Sequence, residues 1–184
     1  MPVVEAIKEI KHIEEIERYL YIHSKRNHLI WLICVNTGLK VSEVLGLNVA
    51  DVKDLDYIRV NDRKTGMVKR IYLNDKVKKH LYKYLTRKPL RLNEPLFKGY
   101  KGYRLDRSQV YRFINNACRC CGVSYNVGTM SMKKTFLYQC YQLNNNDITL
   151  LQLLSRKNTP RKALTFIGVD TDTIDVRYPL TFTI

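Results

Sequence analysis

The strongest constraint on this chain is a corner. Residues 28–35 read His-Leu-Ile-Trp-Leu-Ile-Cys-Val, and Thr37-Gly38-Leu39-Lys40-Val41-Ser42-Glu43-Val44-Leu45-Gly46-Leu47 follows, running on to Asp51. The apolar run within 27–36 predicts a central buried helix. Gly38 predicts its C-cap, because glycine takes the left-handed cap conformation without strain. Ser42-Glu43 reads as the first turn of a second helix, with acid where the dipole favours it. Val41, Val44, Leu45 and Leu47 give that helix an apolar face. Lys40 is then a cation held at a rigid turn between packed helices, well placed to meet a ligand. A solvated lysine at an ordinary helix–turn–helix corner fits the same residues.

The partner class follows from charge. The 184 residues carry a net +15. Such an excess favours a polyanion, most often nucleic acid, although it also serves plain solubility. The basic residues are not evenly spread. Residues 1–28 hold five Glu and five Lys/Arg, whereas residues 59–91 hold twelve Lys/Arg against two Asp. No apolar run suggests a membrane span, and no signal peptide opens the sequence. Five cysteines without a framework spacing predict a reducing cytoplasm. Cys118 and Cys121 form a C-x-x-C with no second pair, and His12, His23, His28 and His80 lie far upstream. That spacing favours thiols packed on a helix over a zinc site. No metal or cofactor is expected.

The chain reads as one domain, 1–184, mainly α-helical with a small antiparallel β-hairpin or three-stranded sheet. Ile7, Ile10, Ile13, Ile16 and Leu20 predict a helix over 5–23. Residues 55–73 change period and predict a hairpin around the polar stretch 61–66. A basic helix over 77–85 follows, then a loop over 86–105 and a helix over 108–121. Residues 134–143 predict a helix with Phe136, Leu137, Cys140, Tyr141 and Leu143 inward. Asp147 is the expected N-cap of a helix over 148–154. A basic loop over 155–162 leads to a short helix over 163–167, and 172–178 reads as a last one.

Thr37-Gly38-Leu39-Lys40, Ser42-Glu43 and Leu47-x-x-x-Asp51 resemble a signature of the tyrosine recombinases, the phage-type integrases. Their catalytic domain carries Thr-Gly-Leu-Arg, then a small residue, Glu or Asp, and Leu-x-x-Leu-x-x-x-Asp. Lys64-Thr65-Gly66 resembles the hairpin turn with the family's catalytic lysine, and Leu96-Phe97 resembles the Leu-Phe before its next helix. Met130-Ser131-Met132-Lys133 stands where the family has His-x-Leu-Arg, and Leu153-Leu154-Ser155-Arg156 where it has Leu-Leu-Gly-His. Lys133 and Arg156 are 23 residues apart, the usual spacing of that pair. Leu164-Thr165-Phe166-Ile167-Gly168-Val169 resembles the segment with the nucleophilic tyrosine, so Phe166 holds that place.

The resemblance implies in-line phosphoryl transfer, with a tyrosine attacking phosphorus, two arginines on the non-bridging oxygens, and a histidine and a lysine moving protons. By position this chain offers Lys40, Lys64, Met130, Lys133, Arg156 and Phe166. Lysine keeps the charge of arginine but loses its planar fork. Methionine moves no proton, and phenylalanine has no attacking oxygen. Loss of several members of such a set is not rescued by the rest. The expected reading is a DNA-binding protein unable to cleave, which modulates recombination or integration of a mobile element. The expected contacts to double-stranded DNA are Lys40, Arg63, Lys64, Lys69, Arg70, Lys133, Lys134, Arg156, Lys157, Arg161 and Lys162. Lys133-Lys134 also fits a solvated helix start, and 155–162 a generic basic loop. Two other readings stay open. One is an active recombinase whose nucleophile is Tyr178, with Phe166 a core residue. The other is a protein-interaction module that pairs with itself or a related recombinase through 172–184. The length leaves no room for the separate helical domain by which family members clamp DNA from the far side.

Overall fold

A computed structural model describes residues 3–61, 68–87 and 91–169. Among them are eight α-helices and one two-stranded antiparallel sheet: α1 (Ile10–His23), α2 (Lys25–Thr37), α3 (Val41–Gly46), β1 (Tyr57–Asn61), β2 (Val68–Tyr72), α4 (Asp75–Leu85), α5 (Arg107–Cys120), α6 (Ser131–Leu143), α7 (Ile148–Ser155) and α8 (Pro160–Ile167). The sheet is a hairpin with no third strand among the described residues, registered from Tyr57 opposite Tyr72 to Asn61 opposite Val68.

Helix α2 is the axis of the fold. All seven residues from His28 to Cys34 are buried, which fits a helix that is apolar all round. It packs against α1, α3, α4 and α6. Ser24 caps its start by accepting from the Asn27 N–H at 3.3 Å. Val41, Val44, Leu45 and Leu47 are buried as the corner predicts. Arg104 closes the far end of α3: one guanidinium nitrogen donates to the carbonyls of Leu45 and Leu47 at 2.7 and 2.9 Å. Cys34 and Cys118 are buried free thiols, and burial pushes the Cys118 thiol up to about 12.

The described residues form two apolar clusters. The larger spans α1 to α5, the hairpin and Met132. The smaller joins Leu137, Leu151, Ala163 and Ile167, so α6, α7 and α8 make a lobe around their own centre. A strap ties that lobe to the rest. The sequence predicts helix from residue 5, but the helix begins at Ile10. Tertiary partners take backbone groups of residues 3–8 and the Lys8 side chain instead. Glu5 N–H donates to the Asn126 carbonyl at 2.9 Å, and Ile7 N–H to the Thr135 hydroxyl at 2.8 Å. Lys134 Nζ donates to the Val4 carbonyl at 2.7 Å, and Lys8 Nζ to the Gly168 carbonyl at 2.5 Å.

Three smaller departures lie at helix ends. Helix α6 starts at Ser131, whose hydroxyl accepts from the Gly128 N–H at 3.0 Å, so Lys133 and Lys134 are helical. Helix α8 starts at Pro160, with Thr159 accepting from the Lys162 N–H, so Arg161 and Lys162 belong to its first turn and not to a loop. Leu143, expected inward, is 81% exposed at the end of α6. Asp147 caps α7 as predicted, accepting from Thr149 and Leu150 at 2.8 and 3.0 Å. The expected helix over 172–178, Tyr178 itself and the hairpin turn lie outside the described residues.

Candidate nucleic-acid interface

The corner is built by close approach. Gly38 has φ 65°, and a Cβ placed on it would lie 2.4 Å from Cδ1 of Phe136. Glycine is therefore required twice, by its left-handed backbone and by the ring beneath it. One turn earlier on α6, Lys133 donates Nζ to the Gly38 carbonyl at 3.0 Å. Lys40 follows as the N-cap of α3, with its side chain exposed. Its backbone N–H donates to Glu43 at 2.7 Å. Glu43 thus serves the helix start, the carboxylate half of a capping box.

The other wall comes from the lobe. Arg156 ends α7 in the left-handed region at φ 58°, ψ 39°. A non-glycine residue there stores strain of order 1 kcal/mol. Phe166, on α8, is half-buried, and two ammonium groups lie over its ring, Lys157 at 4.7 Å and Lys134 at 5.1 Å. Met130 precedes α6. These walls enclose a cleft of about 500 Å³, lined by Lys40, Glu43, Met130, Lys133, Arg156, Lys157 and Phe166, with Val60 and Ile71 of the hairpin. Four cations line it against one carboxylate, which already serves α3.

The structure thus gathers Lys40, Met130, Lys133, Arg156 and Phe166, far apart in sequence, around one cavity. Lys64 and Arg63 lie outside the described residues. Lys69 stands opposite Val60 in the ladder. Arg70 points to the outer face of the hairpin, 5.3 Å from the Tyr57 ring. Arg161 and Lys162 are exposed on α8 and do not line the cleft. Lys134 is buried and tied to the strap; burial pushes its ammonium below the usual lysine range, and Lys157 adds to that. Sequence reasoning missed Phe136 as a member of the site. The one signal for it was Gly38, which announces a close approach without naming what approaches.

A larger cleft, about 810 Å³, opens at the other end of α2 between Lys25, Arg26, Arg87, Lys98 and Tyr100. Most of its cations are engaged. Arg26 bonds the Lys98 carbonyl and Asn27, Lys25 bonds the Tyr21 carbonyl, and Lys98 pairs with Glu94 at 2.9 Å. The smaller cleft is the better candidate site, because it gathers Lys40, Met130, Lys133, Arg156 and Phe166 from separate elements.

Comparison with known proteins identifies the family. The model of the phage integrase family matches residues 6–156. The probable integrase/recombinase YoeC of Bacillus subtilis is 31% identical over 179 residues, covering 97% of each chain. The tyrosine recombinase XerC of Thermodesulfovibrio yellowstonii is 32% identical over 121 residues, 61% of this chain and 40% of the relative. The chain thus spans about half or less of the XerC relatives it matches. In fold, the chain superposes on lambda integrase bound to DNA with a TM-score of 0.66 at 18% identity, over 96% of this chain and 66% of the other. No helix among the described residues is long and apolar enough to cross a membrane.

Proposed function

The chain belongs to the phage integrase family, and from that premise we propose that it binds double-stranded DNA by a backbone phosphate in the Lys40–Arg156 cleft and does not cut it. One observation carries this reading. Three cations from separate elements, Lys40 before α3, Lys133 on α6 and Arg156 after α7, line one cavity together with Met130 and Phe166. The cations supply what phosphate binding needs. Arg156 can hold two oxygens through its fork, and the lysines act as point charges. The other two residues lack what cleavage needs. The Met130 thioether carries no transferable proton, and the Phe166 ring has no oxygen to attack phosphorus. A protein that occupies such a phosphate without cutting would compete with an active recombinase for it. A chain that acts on DNA in this way would work in the cytoplasm, a setting that suits its five free cysteines.

The test is duplex binding as a function of salt, with Lys40, Lys133 and Arg156 each changed to Ala. Each change is expected to weaken binding about tenfold, the size of one charge-assisted contact. Wild-type affinity in all three variants would overturn the cleft as the site. A nicked suicide duplex tests the second half of the reading. Accumulation of a covalent protein–DNA complex would overturn it, and loss of that complex in Tyr178→Phe would identify the nucleophile.

A further inference from the structure

The hairpin has a second face that the cleft does not use. Along β1 and β2 the side chains alternate. Ile58, Val60 and Ile71 point inward, and Val60 and Ile71 line the cleft. Tyr57, Arg59, Arg70 and Tyr72 point outward, with Arg59, Arg70 and Tyr72 exposed. In the ladder Arg59 stands directly opposite Arg70, and Tyr57 opposite Tyr72. Like charges directly opposed across a sheet are destabilising. Neither guanidinium has a carboxylate partner among the described residues. Both are instead held by the same ring: the Tyr57 centroid is 5.9 Å from Arg59 and 5.3 Å from Arg70. Tyr72 meets Tyr57 edge-on at 5.7 Å. The rings hold two planar forks side by side, an arrangement that costs stability when empty and gains most from an anion bound between them.

We propose that this outer face is a second phosphate-binding platform, which takes a nucleic-acid segment other than the one in the cleft. The proposal rests on the reading of the cleft as a phosphate site. Cleft and platform lie on opposite faces of one thin ribbon. A duplex is stiff over many base pairs, so a duplex seated in the cleft cannot also lie along the face that points away from it. The bound chemistry is the phosphodiester backbone, gripped by Arg59 and Arg70. The exposed Tyr72 ring adds stacking when the segment is single-stranded.

The experiment titrates the full chain with a short duplex of about 12 base pairs, too stiff to curl around the hairpin, and reads stoichiometry by sedimentation. Trp31, the only tryptophan and fully buried, reports that each variant is folded. The wild type is expected to take up a second duplex per protomer. Arg59→Gln with Arg70→Gln is expected to lose the second and keep the first, and Arg59→Lys with Arg70→Lys to weaken the second about tenfold by removing the forks while keeping the charge. The proposal is overturned if the double Gln variant takes up as much duplex as the wild type. It is also overturned if either the Gln pair or Lys40→Ala with Lys133→Ala removes all binding, because the two faces then share one segment. The cleft reading fails separately, if Lys40→Ala with Lys133→Ala takes up as much duplex as the wild type. Repeating the titration with a single strand identifies the source: Tyr72→Ala is expected to weaken single-strand uptake about tenfold and leave duplex uptake unchanged.

Discussion

Gly38 concentrates more of this molecule than any other residue. It ends α2, turns the chain toward Lys40, receives Phe136 and offers its carbonyl to Lys133. Gly38→Ala would place a Cβ in the left-handed region, at about 1–2 kcal/mol, and against the Phe136 ring, at about 1–3 kcal/mol. The expected loss is about 3 kcal/mol, read from urea unfolding followed by Trp31 fluorescence with the slope unchanged. Phosphate affinity should fall with it, because the same ring carries α6 and hence Lys133. An unchanged midpoint would show that Phe136 moves aside freely. Arg156 is the opposite case. Its left-handed backbone is strained, and the strain sits where the cleft gains a cation.

At the scale of elements, the lobe of α6, α7 and α8 has a small apolar centre and depends on the strap. Thr135 is the buried link, its hydroxyl accepting the Ile7 N–H. Thr135→Val keeps the shape and leaves that N–H without a partner, at about 1–3 kcal/mol. Amides of residues 3–8 should then exchange fastest among the strap and lobe, measured by hydrogen exchange. Uniform loss of protection across the molecule would show the strap to be no separate unit. The contact between α1, α2 and α4 gives a pH dependence. His80 is held below its ordinary 6.5, first by burial and then by His28, whose ring centroid lies 4.7 Å away. Burial pushes the Glu17 carboxyl up, but hydrogen bonds from His28 and Lys76 outweigh it and hold it below its ordinary 4.5. Below pH 6.5 the unfolded chain protonates His80 more readily than the folded one. Below pH 4.5 it protonates Glu17 more readily. Both effects lower stability on acidification. The thermal midpoint should therefore fall from neutral toward pH 4, and His80→Phe should flatten the upper part of that fall. A midpoint constant between pH 7 and pH 5 would contradict it.

For the whole molecule, a net charge of +15 sets how binding responds to salt. Each phosphate neutralised contributes close to one unit of log–log slope. Wild-type affinity for duplex DNA should drop by orders of magnitude between about 50 and 200 mM salt. Lys133→Ala should make the slope shallower by about one, whereas Lys134→Ala should leave it unchanged, since Lys134 is buried against the strap and the Phe166 ring. Equal slopes for both variants would mean that the cleft is not where the phosphate sits.

The sequence alone determined what is local. The α2–α3 corner, the Gly38 cap, the Asp147 cap and the presence of a hairpin follow from residues within a few places of each other, where backbone preference and hydrophobic period act. Resemblance to the family's motifs also picked out Lys40, Lys133, Arg156 and Phe166 as one set. Only the tertiary structure decided what each does there. Lys133 and Lys134 are neighbours of identical chemistry, yet one lines the cleft and the other bonds the strap, because a helix sends adjacent side chains about 100° apart. Residues 5–8 have a helical pattern but belong to the strap, since partners more than a hundred residues away outcompete the local turn. The Arg59–Arg70 pair is invisible in sequence for the same reason: only strand register sets two distant cations face to face.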